Sequence, residues 1–76
     1  MPLFNVKARD GSIELIVRAQ CISCARTVAV KESKASETML WRDPSRSQVT
    51  LIQNTQKLPY ISYGRRCVLE RIENDR

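Results

Sequence analysis

Histidine is missing from this chain of 76 residues, and glycine occurs only twice. Without histidine, no Ser-His or Cys-His nucleophile can form for covalent catalysis. Two isolated glycines cannot make the glycine-rich loop that cradles phosphates in nucleotide sites. Neighbouring carboxylates, such as Glu32 with Glu37, are more typical of a solvated surface than of an acid–base pair. The sequence therefore predicts no catalytic residue, no cofactor and no enzyme.

Long apolar runs are missing as well. No run approaches the length of a membrane span, and the N-terminal segment MPLFNVKARD carries charge too early for a signal peptide. Hydrophobic residues make up 42% of the chain and charged residues 28%, which is typical of a folded globular domain. We therefore expect one domain over residues 1–76, located in the cytoplasm and without a membrane partner.

A β-hairpin is predicted at the N-terminus. Asp10-Gly11 is a strong signal for a type I′ turn between two runs in which apolar residues alternate with polar ones. Alternation places successive side chains on opposite faces of a sheet, so that one face turns toward a core. The residues expected on that face are Phe4, Val6 and Ala8 in the first run and Ile13, Leu15, Val17 and Ala19 in the second.

A helix is predicted from about Cys24 to Ala35, with Ser23 as its N-cap. Arg26, Lys31 and Lys34 are available for its solvent side. The residues that recur at helical spacing are Ala25, Val28, Ala29 and Glu32.

The remaining chain predicts three strands. A short apolar segment from Met39 to Trp41 leads to a turn at Asp43-Pro44-Ser45. The strands are expected at Val49 to Ile52, Tyr60 to Tyr63 and Cys67 to Ile72. The order β-β-α-β-β-β indicates a small two-layer α+β domain, in which a single helix crosses one face of a mostly antiparallel sheet.

Cys21 and Cys24 have the Cys-x-x-Cys spacing that supplies half of a tetrahedral zinc site. The other half would need Cys67 and a carboxylate such as Glu70. No glycine or proline adjoins the cysteine pair to form the usual knuckle. The sequence therefore argues against a metal site.

A redox dithiol is the second interpretation, with Cys21 as nucleophile and Cys24 as resolving residue at a helix N-terminus. Pro59 before a predicted strand resembles the cis-proline element of thioredoxin-like and glutaredoxin-like proteins. Against it stand the N-terminal hairpin, where that fold has a lone strand, and the lack of a second predicted helix. The favoured interpretation is structural: both cysteines stay reduced and fill small apolar sites.

The net charge of +5 favours an encounter with nucleic acid or with an acidic protein surface. Arginine and aromatic residues dominate binding hot spots, and they also contact phosphates and stack on bases. Core filling is the competing role for Trp41. The residues predicted to bind a partner are Trp41, Arg42, Arg46, Tyr63, Arg65 and Arg66.

Residues 13–52 resemble small orphan proteins of phages and mobile elements. In those proteins a strand ending in a VRA-like segment leads into a helix carrying AR, and a W-x-D-P turn precedes a strand with S-x-V. The matching residues are Val17-Arg18-Ala19, Ala25-Arg26, Trp41 with Asp43-Pro44, and Ser47 with Val49. The resemblance implies a stoichiometric binder, since small phage proteins of this size commonly block a host machine such as a CRISPR effector complex or RNA polymerase.

We therefore expect a non-enzymatic, phage-type interaction protein that binds and inhibits a host nucleoprotein or transcription complex in the host cytoplasm. Two alternatives stay open: a protein that binds nucleic acid directly, and a thioredoxin-like or glutaredoxin-like dithiol protein. An unpaired sheet edge would allow two copies to associate.

Overall fold

Four strands and two helices make up the part of the chain that the computed structural model describes, residues 2–53 and 64–73. The predicted α+β class with an antiparallel sheet is confirmed. A 3₁₀ helix, Ala35–Glu37, precedes the second helix. The elements are β1 (Leu3–Ala8), β2 (Ile13–Arg18), α1 (Ile22–Glu32), α2 (Thr38–Arg42), β3 (Ser47–Leu51) and β4 (Cys67–Glu73).

The four strands form one sheet in the order β3-β1-β2-β4, and every neighbouring pair is antiparallel. The predicted hairpin is present as β1 and β2, with Val6 opposite Leu15. β4 pairs with β2 through a register irregularity between Ile16 and Val17. Because β3 and β4 are added on opposite sides of the hairpin, they lie at the two edges of this sheet.

The turn of the hairpin differs from the predicted type I′ turn. Such a turn needs positive φ at both central residues, whereas among the described residues positive φ occurs only at Gly11 and Gly64. Gly11, with φ of 79°, donates its N–H to the carbonyl of Ala8 over 2.9 Å. Asp10 has negative φ, and its carboxylate accepts from the backbone N–H of Ser12 in an Asx-type turn.

The helices pack on the sheet face that the alternation predicted to be buried. Phe4, Val6 and Ala8 of β1 lie in the core with Leu15 and Val17 of β2. The helices contribute Ala25, Val28, Ala29 and Trp41 to the same core. Ala25 and Ala29 are fully buried, and their small side chains leave room for α1 to lie on the sheet.

The first helix begins earlier and ends earlier than predicted, running over Ile22–Glu32 instead of Cys24 to Ala35. Its N-cap is Cys21, and the prediction of Ser23 is wrong. Cys21 has extended backbone angles, and its sulfur accepts from the N–H of Cys24, as a serine oxygen does at an ordinary N-cap. Glu32 is exposed rather than part of the buried stripe.

The single-helix prediction is also wrong, because α2 follows α1. Its apolar residues do not share one environment: Met39 is 55% exposed, whereas Trp41 is fully buried. A helix of five residues is unstable by itself, so burial of Trp41 against α1 and the sheet holds it in place. The predicted turn follows directly, with the Asp43 carboxylate accepting from the N–H and hydroxyl of Ser45.

The later strands agree in part with the prediction. Strand β3 begins at Ser47 instead of Val49, and strand β4 covers the predicted segment from Cys67 and ends at Glu73. The strand expected at Tyr60 to Tyr63 lies outside the described residues. Over those residues the element order is β-β-α-α-β-β.

Candidate functional site

The exposed face of α1 lies between two open grooves. Ser23, Thr27 and Lys31 follow one another at four-residue spacing and form a ridge that lines both grooves. The β4 groove, of about 340 Å³, is completed by Cys24, Val28, Glu32 and Arg66. The α2 groove, of about 610 Å³, is completed by Ile22, Arg26, Val30, Arg42 and Pro44.

The α2 groove has apolar walls. Ile22 is 56% exposed although it sits in the first turn of a helix that packs on a core. Val30 is partly buried, and Pro44 closes the groove from the turn after α2. An exposed isoleucine beside a proline and a valine gives a partner an apolar surface to cover.

Three cationic side chains from separate parts of the chain line the two grooves along the exposed face of α1, which we call the α1 face. Lys31 belongs to α1, Arg42 ends α2, and Arg66 immediately precedes β4. Of the carboxylates, Glu32 lines the β4 groove, and its Oε1 accepts from the backbone N–H of Val68 over 3.3 Å. The rim of the α1 face is therefore predominantly positive.

Arg26 was expected to face solvent, but its guanidinium has a structural role. Its Nη1 donates to the carbonyl of Trp41 over 2.8 Å and to the hydroxyl of Ser47 over 2.7 Å, and its Nη2 donates to the carbonyl of Ser47. These bonds tie α1 to the end of α2 and the start of β3. Arg26 thereby fixes the end of α2, which places Arg42 at the α2 groove.

The predicted binding residues do not form one cluster. Arg42 and Arg66 lie on opposite sides of the α1 face. Arg46 lines a separate depression with Arg9 and is 3.7 Å from the carboxylate of Asp43. Trp41 is fully buried and offers no surface to a partner as the chain is folded. Arg65 is exposed, and Tyr63 lies outside the described residues.

Arg18 was missed as a positioning residue because the strand pattern marks it only as a polar residue facing away from the core. Its Nε donates to the carbonyl of Arg65 over 2.7 Å. A Cβ built on Gly64, where φ is 131°, would lie 2.8 Å from the Arg18 guanidinium. Arg18 thus packs against the segment that presents Arg66, and a side chain at position 64 would have to displace the Arg18 guanidinium and adopt a φ that favours glycine.

The Sγ atoms of Cys21 and Cys24 lie 2.7 Å apart at the start of α1. Cys21 is exposed and Cys24 is half-buried, and neither forms a disulfide with another described residue. The interpretation of both cysteines as fillers of apolar sites is therefore wrong for Cys21, which faces solvent and caps the helix.

The two thiols differ in acidity. The pKa of Cys21 is lowered to about 7, first by the hydrogen bond with the Cys24 thiol, then by those with the Ser23 hydroxyl and the Cys24 N–H. The same thiol–thiol hydrogen bond raises the pKa of Cys24, while the positive charge of Arg66 acts in the opposite direction. As the pH rises toward neutral, the exposed Cys21 thiol therefore ionises before the Cys24 thiol.

The described residues contain no group of three or more histidine, cysteine, aspartate and glutamate side chains arranged to hold a metal ion. Among the same residues, no helix combines the length and the apolar character needed to cross a membrane.

A scan against protein-family models, a search of curated proteins and a search of solved structures each find no match to this chain.

Proposed function

We propose that this protein is a small basic interaction protein that binds an acidic surface of a larger complex through the exposed face of α1. The observation that carries the proposal is the placement of Lys31, Arg42 and Arg66. They come from α1, the end of α2 and the segment before β4, and they line the two grooves along one partly apolar helix face. Apolar centres with arginine nearby are typical of energetically important protein interfaces.

The apolar part of this face favours a protein partner over nucleic acid. A phosphate backbone would contact the cations but would leave the exposed Ile22 and the wall at Val30 and Pro44 uncovered. A protein surface with carboxylates around an apolar contact would satisfy both parts of the face. Direct binding to nucleic acid is therefore the competing outcome of the experiment below.

The finer proposal follows the resemblance over residues 13–52 to small phage proteins. We propose that the partner is a host nucleoprotein or transcription complex, of the CRISPR effector or RNA polymerase class, and that binding inhibits it. Inhibition of this kind is stoichiometric and needs no catalytic residue. It would take place in the cytoplasm of the host.

The first experiment is an affinity pull-down of the tagged full chain from host lysate, with and without nuclease, followed by mass spectrometry. We expect one multisubunit assembly at fixed stoichiometry that survives nuclease. Loss of the captured material on nuclease treatment, with affinity falling steeply as salt rises, would replace this proposal with direct nucleic-acid binding.

A pair of double variants then tests the surface. R42E/R66E reverses charge on the α1 face, whereas R46E/R65E reverses charge at the other two predicted arginines, so both lower the net charge of +5 by the same amount. We expect R42E/R66E to weaken binding of the captured complex by at least roughly tenfold, the effect of losing a hot spot. Equal losses in both variants would show that net charge, and not the α1 face, determines binding.

A further inference from the structure

The N-terminus of α1 brings two thiols together in unequal surroundings. Cys21 is the N-cap and Cys24 is the third residue of the helix, so the first turn places their sulfur atoms 2.7 Å apart. Cys21 is exposed to an incoming molecule, while Cys24 is half-buried in the β4 groove. The Cys21 sulfur is thus accessible to an incoming molecule, and the less exposed Cys24 sulfur lies 2.7 Å from it.

The surroundings of Cys21 stabilise a thiolate. Besides the Cys24 thiol, its sulfur has the hydroxyl of Ser23 and the backbone N–H of Cys24 at 3.2 Å each. The N-terminus of an α-helix adds the positive end of the helix dipole. Thiolate is the nucleophilic form of cysteine, and the pKa of about 7 at Cys21 is consistent with this arrangement.

We propose that Cys21 and Cys24 form a redox-active dithiol that undergoes exchange with small disulfides bearing carboxylates. The β4 groove beside Cys24 has a volume of about 340 Å³, a size within the range of small-molecule sites. Its charged lining residues are Lys31, Arg66 and Glu32, and the Glu32 carboxylate accepts from the backbone N–H of Val68. Because the two cations outnumber the one carboxylate, the groove favours an anionic substrate over a cationic one. This inference goes beyond the binding function proposed above, and the two share Lys31 and Arg66.

The exchange proceeds in two balanced steps. In the first, the Cys21 thiolate attacks one sulfur of the substrate disulfide, forming a mixed disulfide and releasing the other half as a thiolate, which takes a proton from water. In the second, Cys24 loses its proton to solvent and attacks the Cys21 sulfur, releasing the second half of the substrate. The dithiol loses two electrons to form one intramolecular disulfide, and the substrate disulfide is reduced to two thiols.

The test uses the full chain carrying Cys67→Ala, which removes the third thiol. The reduced protein is mixed with glutathione disulfide, which bears carboxylates, or with cystamine, a cationic disulfide, and the products are followed by mass spectrometry. We expect an internal Cys21–Cys24 disulfide, with only transient mixed disulfide, and faster reaction with glutathione disulfide. Protein that stays reduced in excess of both disulfides, or that accumulates a stable mixed disulfide, would overturn the proposal.

Variants separate chemistry from folding. Cys21→Ser keeps a capping atom at the helix N-terminus, so its circular dichroism should match that of the parent while its reaction rate falls at least tenfold. Cys24→Ala should stop at the mixed disulfide on Cys21. Arg66→Ala should reduce the preference for glutathione disulfide over cystamine. If Cys21→Ser folds and reacts at the parent rate, Cys21 is not the nucleophile and the inference fails.

Discussion

The guanidinium of Arg71 holds the carboxylate of Glu37 through two hydrogen bonds, from Nη1 to Oε1 over 2.8 Å and from Nη2 to Oε2 over 2.6 Å. Glu37 lies at the end of the 3₁₀ helix and Arg71 lies in β4, so the pair joins the helical layer to an edge of the sheet. Glu37 also accepts from the indole N–H of Trp41 over 3.2 Å. One carboxylate thereby connects β4 with the buried residue that holds α2.

Replacing Glu37 with glutamine should destabilise the fold. The Glu37 side chain is only 13% exposed and that of Arg71 is 27% exposed, so water replaces the lost charge-assisted bonds poorly. We expect the free energy of unfolding to fall by about 1–3 kcal/mol, measured by urea denaturation. Glu73→Gln is the matched control, because Glu73 bonds the same arginine but is 64% exposed. Its effect should stay below about 1 kcal/mol, and equal losses in the two variants would contradict the prediction.

The same pair predicts an acid-dependent part of the stability. The hydrogen bonds from Arg71 hold the pKa of Glu37 below its ordinary value. A carboxylate with a lowered folded-state pKa stabilises fully above its unfolded pKa, about 4.3 for glutamate, and loses that contribution as pH falls through the folded-state pKa. The difference in unfolding free energy between the parent and Glu37→Gln should therefore shrink on acidification below about pH 4. Asp43, whose pKa is also lowered, is present in both proteins and does not contribute to that difference. A constant difference over this pH range would contradict the assignment.

Trp41 should behave as a core residue. Trp41→Ala is expected to lower the free energy of unfolding by about 3–5 kcal/mol because it empties a fully buried site. Met39→Ala is the control on the same helix and, at 55% exposure, should change the free energy by no more than about 0.5 kcal/mol. Since Trp41 is the only tryptophan, native fluorescence provides a second measurement. Strong quenching by acrylamide in the folded protein would show that the indole is accessible to a partner.

The acidity of Cys21 can be measured by the rate of alkylation. With Cys67→Ala in place, the rate of iodoacetamide addition to Cys21 should rise with pH and reach half its maximum near pH 7. Cys24→Ala removes the thiol hydrogen bond, the largest cause of the lowered pKa, and should move the midpoint to higher pH. Ser23→Ala removes the next largest cause and should move it less. An unchanged midpoint in Cys24→Ala would show that the sulfur contact is not what acidifies Cys21.

Local pattern was enough to predict the hairpin strands and the buried stripe of α1. Alternation from Phe4 to Ala8 marks a face of a strand, and the spacing of Ala25, Val28 and Ala29 marks a face of a helix. Both follow from periods that are properties of the backbone itself. The loop between the strands was less predictable, because Asp10-Gly11 is compatible with several turns, and the structure has the one in which only Gly11 takes positive φ.

The composition and the order of residues by themselves determined the α+β class, the buried faces and the positive charge of this protein. Only the tertiary structure decided that α2 exists, that Cys21 caps α1, and that Arg42 and Arg66 surround one helix face. The physical reason is that these features depend on contacts between residues far apart in the sequence. A five-residue helix depends on the burial of Trp41 and on Glu37 meeting Arg71, which is 34 positions away in the chain. Contacts between residues so far apart form only when the whole chain packs. They therefore leave no periodic pattern in the sequence from which they could be predicted.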